Sequence, residues 1–280
     1  MTPFEYRRAS NVGEAAQWLR EDPEAKLLAG GQSLIAAMRL GFAAPSMLID
    51  LQGVAELGAV REEADGLWIG AMCTHAAVAG SALVRRLAPA LCGLAHGIGD
   101  RQVRNRGTMG GSLANADPAA CWPAGLVALN GTVSTDRREI PADGFFDGLF
   151  ATVLEADEVV CGVRFAPARD ACYLKFEQPA SRFALAGVAV CRQPDAVRVA
   201  ITGLGSGVWR WTEAEQALLR RFSPDALDGL RVDPGLAGDD IHASADYRAH
   251  LAGVLTRRAV QKILEAEMSQ KASPLPKTVT

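Results

Sequence analysis

Two adjacent glycine pairs stand 80 residues apart in this chain, in Ala29-Gly30-Gly31-Gln32-Ser33 and in Thr108-Met109-Gly110-Gly111-Ser112. Neighbouring glycines lack Cβ, so the backbone turns through φ > 0 and its successive N–H groups can converge on an anion. Context separates these pairs from the ordinary turns that 28 glycines in 280 residues must make. The first follows the apolar start Lys26-Leu27-Leu28 and precedes a segment in which Leu34, Ala37, Met38 and Gly41 share a helical face. That pattern predicts a strand-to-helix turn, where amide groups and the positive end of the helix dipole attract negative charge. Two such nests suit a pyrophosphate, and a plain tight turn is the competing reading.

The familiar nucleotide motifs are missing. No GxGxxG is present, Gly203-Leu204-Gly205-Ser206-Gly207 has the wrong third spacing, and the chain has no Gly-Lys pair for a P-loop. A pyrophosphate-bearing cofactor held outside a Rossmann frame is what the residues allow.

A net charge of −3 with both signs interspersed gives no basic stripe for nucleic acid and no polybasic run for an anionic membrane. The longest uncharged run, 118–135, is broken by Pro123, Gly125, Asn130 and Gly131, so no membrane span is expected. The start carries Glu5, Arg7 and Arg8 with no apolar h-region, and a cytoplasmic location is the expectation. Cysteines at 73, 92, 121, 161, 172 and 191 form no CxxC pair, and the four histidines are equally scattered, so no metal site is expected. The thiols read mostly as small buried hydrophobes.

Hydrophobic content of 49% in 280 residues predicts a globular chain of two or three units. Residues 1–57 alternate strand and helix signals: a helix capped by Ser10 with Val12, Ala15, Ala16 and Leu19 on one face, the strand into Gly30, a helix from Gln32, and the strand Met47-Leu48-Ile49. This is a small βαβαβ lobe with a parallel sheet. Residues 58–166 read as mixed α+β, with a hairpin about Asp65-Gly66, helices from Thr74 and about Pro89, a polar segment 101–117, and a second hairpin from Gly131 to Ile140. Residues 167–272 carry strand candidates at 172–176, 185–191 and 197–202. A last helix follows, capped by Ser244, with Tyr247, Leu251, Val254 and Leu255 on one side. An antiparallel sheet with helices on one face is expected, giving an α+β fold overall. Residues 273–280 are a tail, with fraying expected from Met268.

The strings AGGQSL at 29–34, THAAV at 74–78, VRNRGTMGGSLANADPAA at 103–120, YLKFEQPASRFALAGVAV at 173–190 and SADYRAHLAGVLTRRAV at 244–260 resemble the FAD-binding medium subunit of molybdenum hydroxylases. The style is that of aerobic carbon monoxide dehydrogenase medium subunits and bacterial hydroxylases of aromatic heterocycles, with the xanthine dehydrogenase flavin domain more distant. The resemblance implies that 1–57 and 58–166 are two FAD-binding lobes with the cofactor between them. Ala29, Gly30, Gly31, Gln32, Ser33 and Leu34 would meet the pyrophosphate with Thr108, Met109, Gly110, Gly111 and Ser112. Helix capping is a rival role for Gln32 and Ser33. Thr74 stands at an N-cap position, so a structural role competes with a flavin contact, and His75 is open in the same way, with loop ordering the commoner role of such a histidine. Ile98 and Val160 match apolar packing around the cofactor, or ordinary core. Lys175 resembles a basic position near the flavin, against an exposed strand lysine. Arg101, Arg104 and Arg106 read as loop braces or subunit contacts rather than a phosphate clamp.

Three positions depart from the family pattern. Cys121 stands where relatives usually carry Asp or Glu, Asn115 replaces a frequent His, and Met109 a usual Ile or Leu. A thiol is a poor acceptor, so a ribityl hydroxyl would turn instead to water or to Asp117, weakening binding about tenfold at most. The resemblance implies an oxidoreductase subunit without catalytic side chains of its own, transferring electrons from a small [2Fe–2S] subunit to an external acceptor while a large molybdopterin subunit hydroxylates substrate. The alternatives are a free-standing FAD-dependent oxidoreductase, motivated by the altered 115–121 segment, and a flavin-less scaffold.

Overall fold

The fold is that of a computed structural model, which describes residues 2–205 and 207–272. It is mixed α+β, with three sheets arranged along the chain.

The first sheet is built from β1 (Glu5–Arg8), β2 (Lys26–Leu28) and β3 (Met47–Asp50), connected through α1 (Val12–Glu21) and α2 (Leu34–Leu40). Its order is β1-β3-β2, all parallel, with Tyr6 opposite Leu48 and Leu27 opposite Ile49. Ala15, Ala16 and Leu19 of α1 bury against Met47 and Ile49. The cap of α1 is Asn11 rather than Ser10: Asn11 Oδ1 accepts from the Glu14 N–H at 2.9 Å, and Ser10 donates back to the Glu14 carboxylate through N and Oγ at 2.7 Å each. This reciprocal arrangement satisfies exposed donors at the helix start. Helix α2 begins at Leu34, not Gln32, and Gly41 is its left-handed C-cap at φ 78° rather than part of an apolar face. Only Met38 of that helix is buried, while Leu40 and Phe42 are exposed.

The second sheet holds β4 (Val60–Glu63), β5 (Gly66–Gly70), β6 (Thr132–Thr135), β7 (Glu139–Pro141) and β8 (Val160–Phe165) in the antiparallel order β4-β5-β8-β6-β7. Between β5 and β6 run α3 (His75–Gly80), α4 (Ala82–Leu87), α5 (Pro89–His96), α6 (Arg101–Arg104), α7 (Met109–Asn115) and α8 (Cys121–Ala128). The helix expected from Thr74 is two: Ser81 ends α3 and caps α4 by accepting from the Val84 N–H. Helix α8 is buried at every position, which explains an uncharged run too short to span a bilayer. Among the described residues no helix is long and apolar enough to cross a membrane.

The third sheet comprises β9 (Ala171–Glu177), β10 (Ala184–Gln193), β11 (Ala196–Thr202) and β12 (Trp209–Arg210), antiparallel in the order β12-β11-β10-β9, and is followed by α9 (Thr212–Arg220) and α10 (Ala245–Ala272). The helices of this unit, α9 and α10, lie on one face of the sheet as expected, and the other face is covered by helices of the preceding lobe. Val188, Val190, Val199 and Ile201 pack with Leu218, Leu251 and Leu255 of α9 and α10, while Ala189, Cys191 and Ala200 join the core that contains α5 and α8. Two-sided burial accounts for the near-continuous apolar run of β10. Helix α10 continues through Met268 to Ala272 where fraying was expected, and the 273–280 tail lies outside the described residues. Its buried face carries Arg248, Ala252, Ala259 and Ile263 with Leu251 and Leu255, whereas Tyr247 is exposed.

Candidate functional site

The two glycine loops touch. A Cβ on Gly30 would overlap the Arg106 carbonyl oxygen and lie 2.7 Å from Gly107 Cα, so glycine at 30 lets the β2–α2 loop rest directly on the segment before α7. Gly31 supplies a left-handed turn at φ 69°. A Cβ on Gly110 would fall 2.5 Å from Ala71 Cβ, and one on Gly111 2.8 Å from Thr108 Oγ1, so the second pair seats α7 against the end of β5. Close packing of backbone on backbone is therefore the first reason for these glycines.

The loops differ in what they offer a ligand. Among the described residues the backbone N–H groups of Gly30, Gly31, Gln32 and Ser33 have no acceptor, a run of four bare donors. In the second loop Met109 N bonds to Cys73 O, Gly110 N to Ala71 O, Gly111 N to Thr108 Oγ1 and Ser112 N to Thr108 O. The expectation of two equivalent nests is thus corrected: one loop presents amides, and the other presents the hydroxyls of Thr108 and Ser112.

Both loops line one cavity of about 550 Å³, a size typical of small-molecule sites. Ala29, Gly30, Gly31, Gln32, Ser33 and Leu34 enter its wall from the β2–α2 loop, and Thr108, Gly110, Gly111, Ser112, Asp117 and Cys121 from the α7–α8 region. Ile98, Val160 and Lys175 complete the predicted set. Two residues fall outside. Met109 is fully buried in the core beneath α7, because the first residue of that helix turns inward. Thr74 instead caps α3, accepting from the Ala77 N–H at 3.1 Å, and borders a separate recess of about 310 Å³ with Arg106, Asn105 and Gln52.

Burial sets the electrostatics. Asp117 is half-buried, and desolvation raises its carboxyl pKa while the Ala119 N–H, 2.8 Å from Oδ1, partly opposes this. The Cys121 thiol is likewise pushed up by burial, so it remains protonated beside the equally buried Tyr173 hydroxyl. Lys175 is not an exposed strand lysine: its side chain is 8% accessible, and Nζ donates to the Arg182 carbonyl at 2.5 Å. Arg104 braces the loop before α6, donating to the carbonyls of Ile98 and Gly99 at 3.0 and 2.8 Å.

His75 orders the loop through its backbone: its N–H bonds to Gly107 O at 2.9 Å. Its imidazole also forms part of the cavity wall, and desolvation, with a smaller push from the Arg104 charge, lowers its pKa to about 4. Other wall residues carried no local signal. Thr152, Leu154, Glu155, Ala156 and Glu158 arrive from the long β7–β8 connection, and Ser181, Arg182 and Phe183 from the β9–β10 turn. Glu158 is held there by a bidentate Arg138, by Thr135 Oγ1 at 2.8 Å and by the Glu155 N–H at 3.0 Å, which together lower its pKa to about 2.

The cleft carries bare amides on one loop, hydroxyls on the other and a half-buried carboxylate beyond them, a set of donors and an acceptor suited to a phosphate-bearing ligand with hydroxyl groups. Residues 2–167 match the family model described as the FAD binding domain in molybdopterin dehydrogenase, and residues 171–263 match the CO dehydrogenase flavoprotein C-terminal domain. The chain is 35% identical to the carbon monoxide dehydrogenase medium chain of Hydrogenophaga pseudoflava, over 92% of this chain and 96% of that one. It is also 35% identical to the nicotine 6-hydroxylase medium subunit of Paenarthrobacter nicotinovorans, over 91% and 95%. Among solved structures, carbon monoxide dehydrogenase from Hydrogenophaga pseudoflava superposes with a TM-score of 0.86 at 35% identity, covering 95% of this chain and 99% of that one. Quinoline 2-oxidoreductase from Pseudomonas putida 86 gives 0.84 at 30% identity, covering 96% and 99%. The chain therefore belongs to the FAD-binding medium subunits of the molybdenum hydroxylases, and it is an oxidoreductase subunit whose cofactor is FAD.

Proposed function

We propose that this chain works in the cytoplasm as the electron-transfer subunit of a three-subunit molybdenum hydroxylase, receiving electrons from a small [2Fe–2S] subunit and delivering them to an external acceptor. A large molybdopterin subunit would carry out the hydroxylation. FAD, when bound, supplies both one- and two-electron redox chemistry, which is what joins such partners. The three sheets support a division into lobes 1–57 and 58–166 and a C-terminal domain 167–272.

The observation that carries the reading is the run of four bare amides at Gly30, Gly31, Gln32 and Ser33 in the wall of the cavity. Gly30 and Gly31 are half-buried while Gln32 and Ser33 are exposed at the mouth, so the run is open to a ligand, and a diphosphate is a fitting acceptor for several N–H groups at once. In this role the Thr108 and Ser112 hydroxyls add donors. Asp117 accepts from a hydroxyl of the polyol arm, with Oδ1 already engaged by Ala119 and Oδ2 left for the ligand. Cys121 offers little to a hydroxyl because a protonated thiol is a weak acceptor. Ile98 and Val160 provide apolar surface, and Lys175, fastened to Arg182, ties the β9–β10 turn to the wall. No side chain here is given a role as general acid, base or nucleophile.

Purification of the native protein tests this. One FAD per chain, with iron and molybdenum on co-purifying partners, is the expected result. An isolated yellow monomer oxidising its own substrate would replace the subunit reading with a free-standing flavoenzyme, and a colourless protein that takes up no added FAD would overturn the site itself.

A further inference from the structure

We propose that His75 binds the cofactor, donating a hydrogen bond from Nε2–H to a carbonyl or ring-nitrogen acceptor of the isoalloxazine ring, in a tautomer that Trp122 imposes. The proposal rests on the FAD reading above.

The tautomer follows from the partner. Trp122 Nε1–H lies 3.0 Å from His75 Nδ1, and an indole nitrogen can only donate. Nδ1 must then carry its lone pair toward Trp122, and in the neutral ring the single proton sits on Nε2. Both residues are buried, Trp122 completely and His75 to 5% exposure, and the rings stand 6.2 Å apart, so the pair is held by its surroundings. Desolvation keeps the ring neutral.

The Nε2 edge lies beside Gly107, where a Cβ would fall 2.7 Å from it, so glycine at 107 leaves room for that edge. Among the described residues Nε2–H has no acceptor, although Nδ1, the backbone N–H and the Trp122 indole are all satisfied. The ring as a whole is 5% exposed, yet Nε2 is not among the fully enclosed atoms, so this donor is left open on the side of the cavity that His75 lines with Gly107.

The neighbours indicate what kind of acceptor would meet it. Ile98, Gly99 and Val103 line the cavity with His75, whereas the bare amides belong to the β2–α2 loop. The guanidinium groups of Arg104 and Arg182 are engaged by the Gly99 carbonyl, and the apolar Ile98 and Val103 with one neutral donor suit a flat heterocycle with carbonyls on its edge better than a phosphate, which needs several donors or a free cation. Reduction adds electron density to the ring acceptors, so a donor placed there strengthens its bond to the reduced form.

The test uses the full chain stripped of FAD and reconstituted, as wild type, His75→Gln and His75→Leu. Gln retains an acceptor for Trp122 and a donor for the cavity, and Leu retains neither. His75→Leu should raise the FAD dissociation constant about tenfold, the effect of one lost hydrogen bond. If reduced FAD loses a further tenfold relative to oxidised, the two-electron potential falls by about 30 mV. His75→Gln should stay near wild type in both. In wild type, ¹⁵N spectra of the four histidines should show one ring protonated at Nε2 before FAD is added, with that signal moving on addition. A Leu variant with wild-type affinity and potential, or a ring protonated at Nδ1, would overturn the proposal, and the spectra answer even if the Leu variant does not fold. Wild type that takes up no FAD would instead overturn the reading on which the proposal rests.

Discussion

Burying His75 as a neutral ring leaves a signature in the acid stability of the chain. Its folded pKa is about 4, against an ordinary value near 6.5. The unfolded chain therefore binds more protons at this site between those values, and stability must fall as pH falls through that window. The slope approaches about 1.4 kcal/mol per pH unit in mid-window and is shallower at its ends, so from pH 6.5 to 4.5 the loss is about 2 kcal/mol. For a chain of this size that corresponds to roughly 4 °C in Tm. Urea melts of wild type and His75→Gln across pH 4.5–7.5 isolate the contribution, because every other titrating group is common to both. Asp117 is one of these: its raised carboxyl pKa works in the opposite sense, stabilising the fold on acidification, and it cancels in the difference. Wild type should lose about 2 kcal/mol relative to the variant between pH 6.5 and 4.5. Equal slopes, or a ring that titrates near 6.5 in ¹⁵N spectra, would refute the burial argument.

Gly30→Ala should part the two loops, because its Cβ meets the Arg106 carbonyl; thermal melts should show about 1–3 kcal/mol of lost stability and titration a matching fall in FAD affinity. Gly93→Ala is its counterpart: the new Cβ meets nothing within 4 Å on an exposed turn of α5, so the melt should rise by about 0.5–1 kcal/mol. Ser112→Ala removes a cavity hydroxyl and should weaken FAD binding up to about tenfold with the apo melt unchanged. Glu158→Gln should cost about 2–3 kcal/mol at neutral pH by leaving Arg138 without its bidentate partner. The stability lost in that variant is present in wild type above pH 4.5 and disappears as pH falls toward 2, which acid melts will follow.

Much of this was legible in the sequence because it rests on short-range chemistry. The βαβαβ start, the hairpins about Asp65-Gly66 and 131–140, and the strands of the third sheet each declare themselves within a dozen residues. The boundaries at Ser10 and Gln32 shifted by one or two residues, since several polar residues compete for one cap and only the packed helix selects among them. The glycine pairs pointed to the cleft, but not to why they are glycine. Gly30 answers to a carbonyl 76 positions further along the chain, and that contact leaves no local trace. Glu155 and Glu158 were invisible for the same reason, as they reach the wall on a long connection fastened by Arg138. Met109 stands with its neighbours in the string, whereas the helical period sends Met109 and Leu113 to the core and leaves Gly110, Gly111 and Ser112 to the cavity.

The difference between the two loops also decides which experiments can see them. Alanine scanning reads side chains, so it will register Ser112 and Thr108 and pass over any main-chain N–H of Gln32 and Ser33 that meets the ligand. A site mapped that way would look one-sided. Removing a donor there requires altering the backbone itself: an amide-to-ester replacement at Gln32 or Ser33, introduced by semisynthesis, deletes one N–H while leaving every side chain in place.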